Sequence, residues 1–120
     1  MLLIASIVSN PAQAGEALVR ITTSFELKHT EAVLKRVAKV FSSGFERAEA
    51  EHLAAEIATM PADVPKSWEY TTLYKGSSQP LKVKALVDDL GMVDLDFATT
   101  AGVAPLVRAA VDGYLNSRNL

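Results

Sequence analysis

Four carboxylates fall within nine residues in the run Asp88-Asp89-Leu90-Gly91-Met92-Val93-Asp94-Leu95-Asp96. An oxygen-only set of this kind suits the hard cations Mg²⁺ and Ca²⁺. The spacing does not fit the twelve-residue calcium loop, which ends on a bidentate glutamate. A strand-and-turn reading accounts for the same residues more fully. Asp88 and Asp89 are ordinary turn formers, and Asp94 and Asp96 share one face of a strand, opposite Val93, Leu95 and Phe97. A hairpin closing around Leu90 brings Lys84 close to opposite Asp96, with Lys82 further along that face. The resulting charge ladder is worth ~0.2–1 kcal/mol per pair and needs no ion. The sequence therefore predicts no metal site. It offers Asp88, Asp89, Asp94 and Asp96, with Glu49 and Glu56, as acidic contacts for a partner.

The two histidines add little catalytic signal. Glu49 and His52 stand at i, i+3, a pair used in two-metal helical bundles, but those need a second copy and two further acids. His29 lies where a strand passes into a helix. Neither histidine neighbours a nucleophile signature. The serines of Phe41-Ser42-Ser43-Gly44 and Lys75-Gly76-Ser77-Ser78 make no Gly-x-Ser-x-Gly elbow, and no phosphate-loop or dinucleotide glycine pattern occurs. No cofactor is expected.

Trp68, Tyr70 and Tyr74 share one strand face, with Thr72 between them. They read either as a stacking platform or as core facing the helices. The polar Glu69 and Thr71 opposite them favour core. With His29, they are the candidate lining of a pocket between sheet and helices. Leu18, Leu73 and Leu86 fall on the expected wet face and are candidates for a self-association patch.

The elements that position these residues follow from periodicity. Residues 17–27 alternate strictly, with Ala17, Val19, Ile21, Thr23, Phe25 and Leu27 on one face. Thr30 reads as the N-cap of a helix carrying Val33, Leu34, Val37, Val40 and Phe41. A second helical pattern spans 45–59, with Phe45, Ala48, Leu53, Ile57 and Met60 as its stripe. Gly44 lies between the two, and an interior glycine costs only ~1 kcal/mol, so one helix and two are both admissible. Strands follow at 67–74, 81–87 and 92–97, separated by turns at 75–80 and 88–91. A last helix starts near Pro105, with Val107, Ala110, Val111 and Tyr114 inward. The first helix is basic (Lys28 before it, then Lys35, Arg36 and Lys39) and the second acidic, so the two are expected to face each other across a groove if they are neighbours.

Residues 1–14 read in two ways. Leu2 to Val8 is a short apolar run closed by Asn10-Pro11, which suits a buried strand. Ala12-Gln13-Ala14 also resembles a small-x-small cleavage site, although no basic residue precedes the run. The strand reading gives the order β-β-α-α-β-β-β-α: a single α+β domain over 1–120, mostly antiparallel, with helices on one face. It favours the cytoplasm; a signal segment would instead place the protein in the periplasm or outside the cell.

Composition sets outer limits. The chain has 120 residues, 49% apolar and 22% charged, with no cysteine, so no disulfide or thiolate site enters. A net charge of −2 argues against a dedicated nucleic-acid binder, and no run reaches the ~20 apolar residues of a membrane span. The leading expectation is a non-catalytic protein-interaction module of the inhibitor or immunity type. A small α+β enzyme or ligand-binding protein, and a structural homo-oligomer, are the alternatives.

Overall fold

The computed structural model describes residues 17–120; the expected first strand and turn at 1–14 lie outside them. Four strands and three helices follow in the order β1 (Val19–Glu26), α1 (Thr30–Ala38), α2 (Arg47–Ala58), β2 (Lys66–Tyr74), β3 (Ser77–Val87), β4 (Met92–Thr99) and α3 (Ala104–Ser117). The strands form one antiparallel sheet in the order β1-β4-β3-β2. The fold is α+β, as the alternation and turn chemistry predict.

Parity fixes what each sheet face does. Ile21 and Phe25, Leu81, Val83, Ala85 and Val87, and Val93, Leu95 and Phe97 all point to the helical side and are buried. The helices return Val33, Leu34 and Val37 from α1, Ala50, Leu53, Ala54 and Ile57 from α2, and Val107, Val111 and Tyr114 from α3. The expected stripe of α2 is shifted. Ala48 is exposed, because the helix begins only at Arg47 and its rotation presents Ala50 and Ala54 instead. Helix α1 lies between α2 and α3, and α3 also packs against β1.

Two details of α1 and β3 differ from expectation. A 3₁₀ turn (Leu27–His29) precedes α1, so Thr30 is the first helical residue rather than its cap. Its hydroxyl donates to the Leu27 carbonyl at 2.8 Å. Strand β3 starts at Ser77, not near residue 81. Lys75 and Gly76 both adopt positive φ (50° and 80°), giving the two-residue hairpin whose twist matches that of the strands. Lysine is not the usual residue there, which hides the turn in the sequence.

Gly44 separates α1 from α2. Its φ is +89°, and a Cβ placed on it would lie 2.1 Å from the Thr71 carbonyl oxygen and 2.7 Å from Thr72 Cα. The close approach lets the connection lie along the edge of β2, where Ser42 N–H donates to Leu73 O (2.9 Å) and Leu73 N–H to Ser43 O (3.1 Å). Gly44→Ala is therefore expected to destabilise by on the order of 2–4 kcal/mol, from backbone strain plus overpacking. Gly113 sits inside α3 with open space around its would-be Cβ, so Gly113→Ala is expected to stabilise by ~0.5–1 kcal/mol. Urea unfolding followed by Trp68 fluorescence checks both; a Gly44→Ala protein as stable as the parent would contradict the close packing.

Candidate functional site

The chemistry-bearing residues separate onto two sides of the molecule. On the sheet face turned away from the helices, Lys84 stands directly across from Asp96, as the Leu90-centred hairpin requires. Arg20 reaches the same carboxylate from β1 at 2.6 Å, and the Ser24 hydroxyl donates to Asp94. Two shallow troughs result. One, of about 530 Å³, is lined by Thr22, Ser24, Lys84, Leu86, Asp94 and Asp96 among others. The second, of about 390 Å³, is lined by Arg20, Ser67, Glu69, Lys82, Lys84 and Asp96 among others. They share Lys84 and Asp96. Their floor is strand backbone, so the side chains are presented in fixed rows.

The six acids proposed as contacts are not gathered together. Asp94 and Asp96 lie on the sheet face. Asp88 is used within the β3–β4 turn, its Oδ1 accepting from the Leu90 and Met92 N–H groups at 2.9 Å each. Asp89 is exposed in the same turn. Glu49 accepts the Glu46 N–H at 2.8 Å in the capping box of α2. Glu56 pairs with Lys66 at 3.0 Å and with His52 at 3.2 Å, on the helical side.

The aromatic set divides as well. Trp68, Tyr70 and Tyr74 are half-buried against the core on β2, and Tyr70 packs edge-on to Phe45 with centroids 4.8 Å apart. The space between sheet and helices is filled by side chains such as Phe45, Phe97, Leu34 and Leu95, all fully buried. Burial pushes the Tyr70 hydroxyl pKa up, with the Glu56 and Glu49 charges adding to it. His29 follows β1, at the opposite edge of the sheet from β2, three strand spacings or ~14 Å away. Its partner is Tyr114, whose hydroxyl lies 2.8 Å from His29 Nδ1. The leucines are scattered too. Leu73 faces Ser78 and Leu86 faces Asp94, eight residues apart along β3, or ~27 Å at the usual strand rise. Leu73 and Leu86 do not share a patch.

The second side includes the basic first helix that the sequence pointed to, but with α3 as a wall that the sequence did not single out. Helix α1, the C-terminal end of α3 and the start of α2 enclose a cleft of about 500 Å³. Its lining carries five cations, Lys35, Arg36, Lys39, Arg47 and Arg118, against one acid, Glu46, with Ala32, Ala38, Phe41 and Tyr114 as apolar wall. The guanidinium carbons of Arg36 and Arg118 lie 5.6 and 5.5 Å from the Tyr114 ring centre. Lys35 bridges α1 to α2 through Glu51 (3.3 Å) and also meets Glu31 (2.8 Å), while Arg47 holds Glu51 at 2.9 Å. The expected facing of basic α1 and acidic α2 is thus real at this one junction.

No family model matches this chain, and neither a curated protein nor a solved structure does. Among the described residues no group of three or more His, Asp or Glu is placed to hold a metal ion, and no helix is long and apolar enough to cross a membrane.

Two carboxyls at the α2 flank are shifted. Glu51 is held below its ordinary 4.5 first by the Arg47 hydrogen bond and then by Lys35. Glu56 is held below 4.5 first by the Lys66 hydrogen bond. The buried Trp68 indole N–H makes no hydrogen bond of good geometry, yet it lies near enough to favour the charged Glu56. A depressed folded-state pKa means the unfolded chain binds more protons, so these contributions are complete above 4.5 and vanish as pH falls through the depressed values. A Glu51→Gln/Glu56→Gln protein is expected to be less stable than the parent near pH 7, with the gap closing as pH falls below 4.5. Denaturation midpoints across that range check this; a gap independent of pH would contradict the ion pairs.

Proposed function

We propose that the protein is a binding module that docks a partner protein on the helix-free face of its sheet and performs no bond-making chemistry there. The observation that carries this reading is the continuous row Arg20–Asp96–Lys84, shared by the two troughs. It spans three strands and holds opposite charges in fixed register. Such a surface selects a partner by charge pattern, and rim charges of this kind govern association rate more than affinity. Cations (Arg20, Lys82, Lys84) and acids (Glu69, Asp94, Asp96) alternate over the troughs. The fitting partner therefore presents a mixed-charge surface rather than a uniformly basic or acidic one. Ser24, the hydroxyl nearest the acids, is hydrogen-bonded to Asp94, with no imidazole lining either trough. This arrangement supports recognition and lacks the base–nucleophile pair of covalent catalysis.

A photo-crosslinking residue at Thr22, exposed on this face, is expected to capture one protein partner in cells. The same residue at Ala109, exposed on α3, is expected to capture none. Asp94→Lys/Asp96→Lys should abolish the adduct and slow association with the identified partner about tenfold or more at low salt. Equal capture from Thr22 and Ala109, or an association rate unmoved by charge reversal, would contradict the docking face.

A further inference from the structure

We infer that the cleft between α1 and α3 is a second, separate binding site, and that its ligand is a phosphate ester. The chain carries a net charge of −2, so a lining of five cations and one acid, with two of the cations paired to Glu31 and Glu51 outside it, is a local concentration rather than a basic surface in general. Among the described residues, Arg36, Lys39 and Arg118 form no ion pair, and all three line this cleft. Of the other unpaired cations, Lys82 and Lys84 line the second sheet-face trough beside Glu69 and Asp96, and Lys75 lies in the β2–β3 turn.

Holding these cations close together is unfavourable unless something of opposite sign relieves it. Glu31 and Glu51 relieve Lys35 and Arg47, but Arg36, Lys39 and Arg118 have no ion-pair partner among the described residues, and the one acid in the lining, Glu46, sits at the N-cap of α2. The unpaired charges call for an anion from outside.

The geometry points to a phosphoryl group. Arg36 and Arg118 come from different helices yet both lie against the Tyr114 ring. Cation–π contact holds each guanidinium group against that one ring before any ligand arrives. Tyr114 is itself fixed: it is 6% exposed, and its hydroxyl is tied to His29 at 2.8 Å. Each pre-positioned guanidinium group supplies an N–H fork that matches the oxygens of a phosphate, and Lys39 adds a point charge on a flexible stem. A bare inorganic ion would leave most of a cleft of about 500 Å³ empty. That volume lies in the range of small-molecule sites, and Ala32, Ala38 and Phe41 offer an apolar wall for an organic body. An ester fills both parts.

The test is titration of the full chain with inorganic phosphate, pyrophosphate and ADP at low ionic strength, followed by amide chemical shifts and calorimetry. Saturable shifts are expected at Arg36, Lys39 and Arg118 and not on the sheet face. ADP binding tighter than pyrophosphate supports an organic body on the apolar wall. The Arg36→Gln/Arg118→Gln protein should bind about tenfold or more weakly, while Lys82→Gln/Lys84→Gln should bind like the parent. Both pairs are exposed, so a folded variant is expected, and its unchanged amide spectrum outside the cleft verifies it. Failure of all three probes to saturate, or equal weakening by the two variants, would overturn the site. Retained binding after Asp94→Lys/Asp96→Lys would keep this site distinct from the sheet face, and loss of binding there would overturn that separation.

Discussion

The pairing of β1 with β4 is the constraint on which the rest of the molecule depends. It joins residues far apart in the chain, Val19 to Thr99 at one end and Glu26 to Met92 at the other. Such a contact carries a large loop-closure cost that only cooperative burial offsets. Once the register is set, strand parity does the rest. Ile21 and Phe25 join Phe97, Leu95 and Val93 on the core side. Arg20 and Ser24 land beside Asp96 and Asp94 on the other. A slip of one residue would reverse every one of these assignments.

The same pairing creates the helical cleft. Strand β1 ends at Glu26, and the short 3₁₀ turn that follows delivers His29 to Tyr114. Helix α1 then starts alongside α3, with Arg36 against the same ring that Arg118 approaches from the end of α3. Two surfaces of different character therefore share one structural cause. The sheet face holds cations and acids interleaved, with Arg20 paired to Asp96. The helical cleft holds three cations, Arg36, Lys39 and Arg118, that form no ion pair among the described residues.

What the sequence revealed and what it hid follow the range of the interactions involved. Period-two alternation made β1 and β4 legible, and the turn around Leu90 was enough to align Lys84 with Asp96, because hairpin register is a local property. Helix α3 was legible from Pro105 and its apolar stripe. Gly44 was ambiguous because an interior glycine is tolerable in a helix. Only the approach of the Thr71 carbonyl, 27 residues on, makes it obligatory. The cleft was hidden for the same reason. Tyr114 and Arg118 at i, i+4 could have been read as one helical face, but nothing local says that Arg36 shares it. The acids near Asp94 and the basic run Lys35, Arg36 and Lys39 are both close in sequence, whereas Arg47 and Arg118 join that run only in space.

The most direct measurement is a nuclear Overhauser spectrum of the folded chain. Two sets of contacts decide the matter. Cα-proton contacts are expected across alternate β1–β4 pairs in the register that sets Ile21 against Phe97, together with contacts between the His29 imidazole and the Tyr114 ring. A register displaced by one residue, or a His29 ring remote from Tyr114, would contradict the account at its root, since both surfaces are consequences of that single alignment.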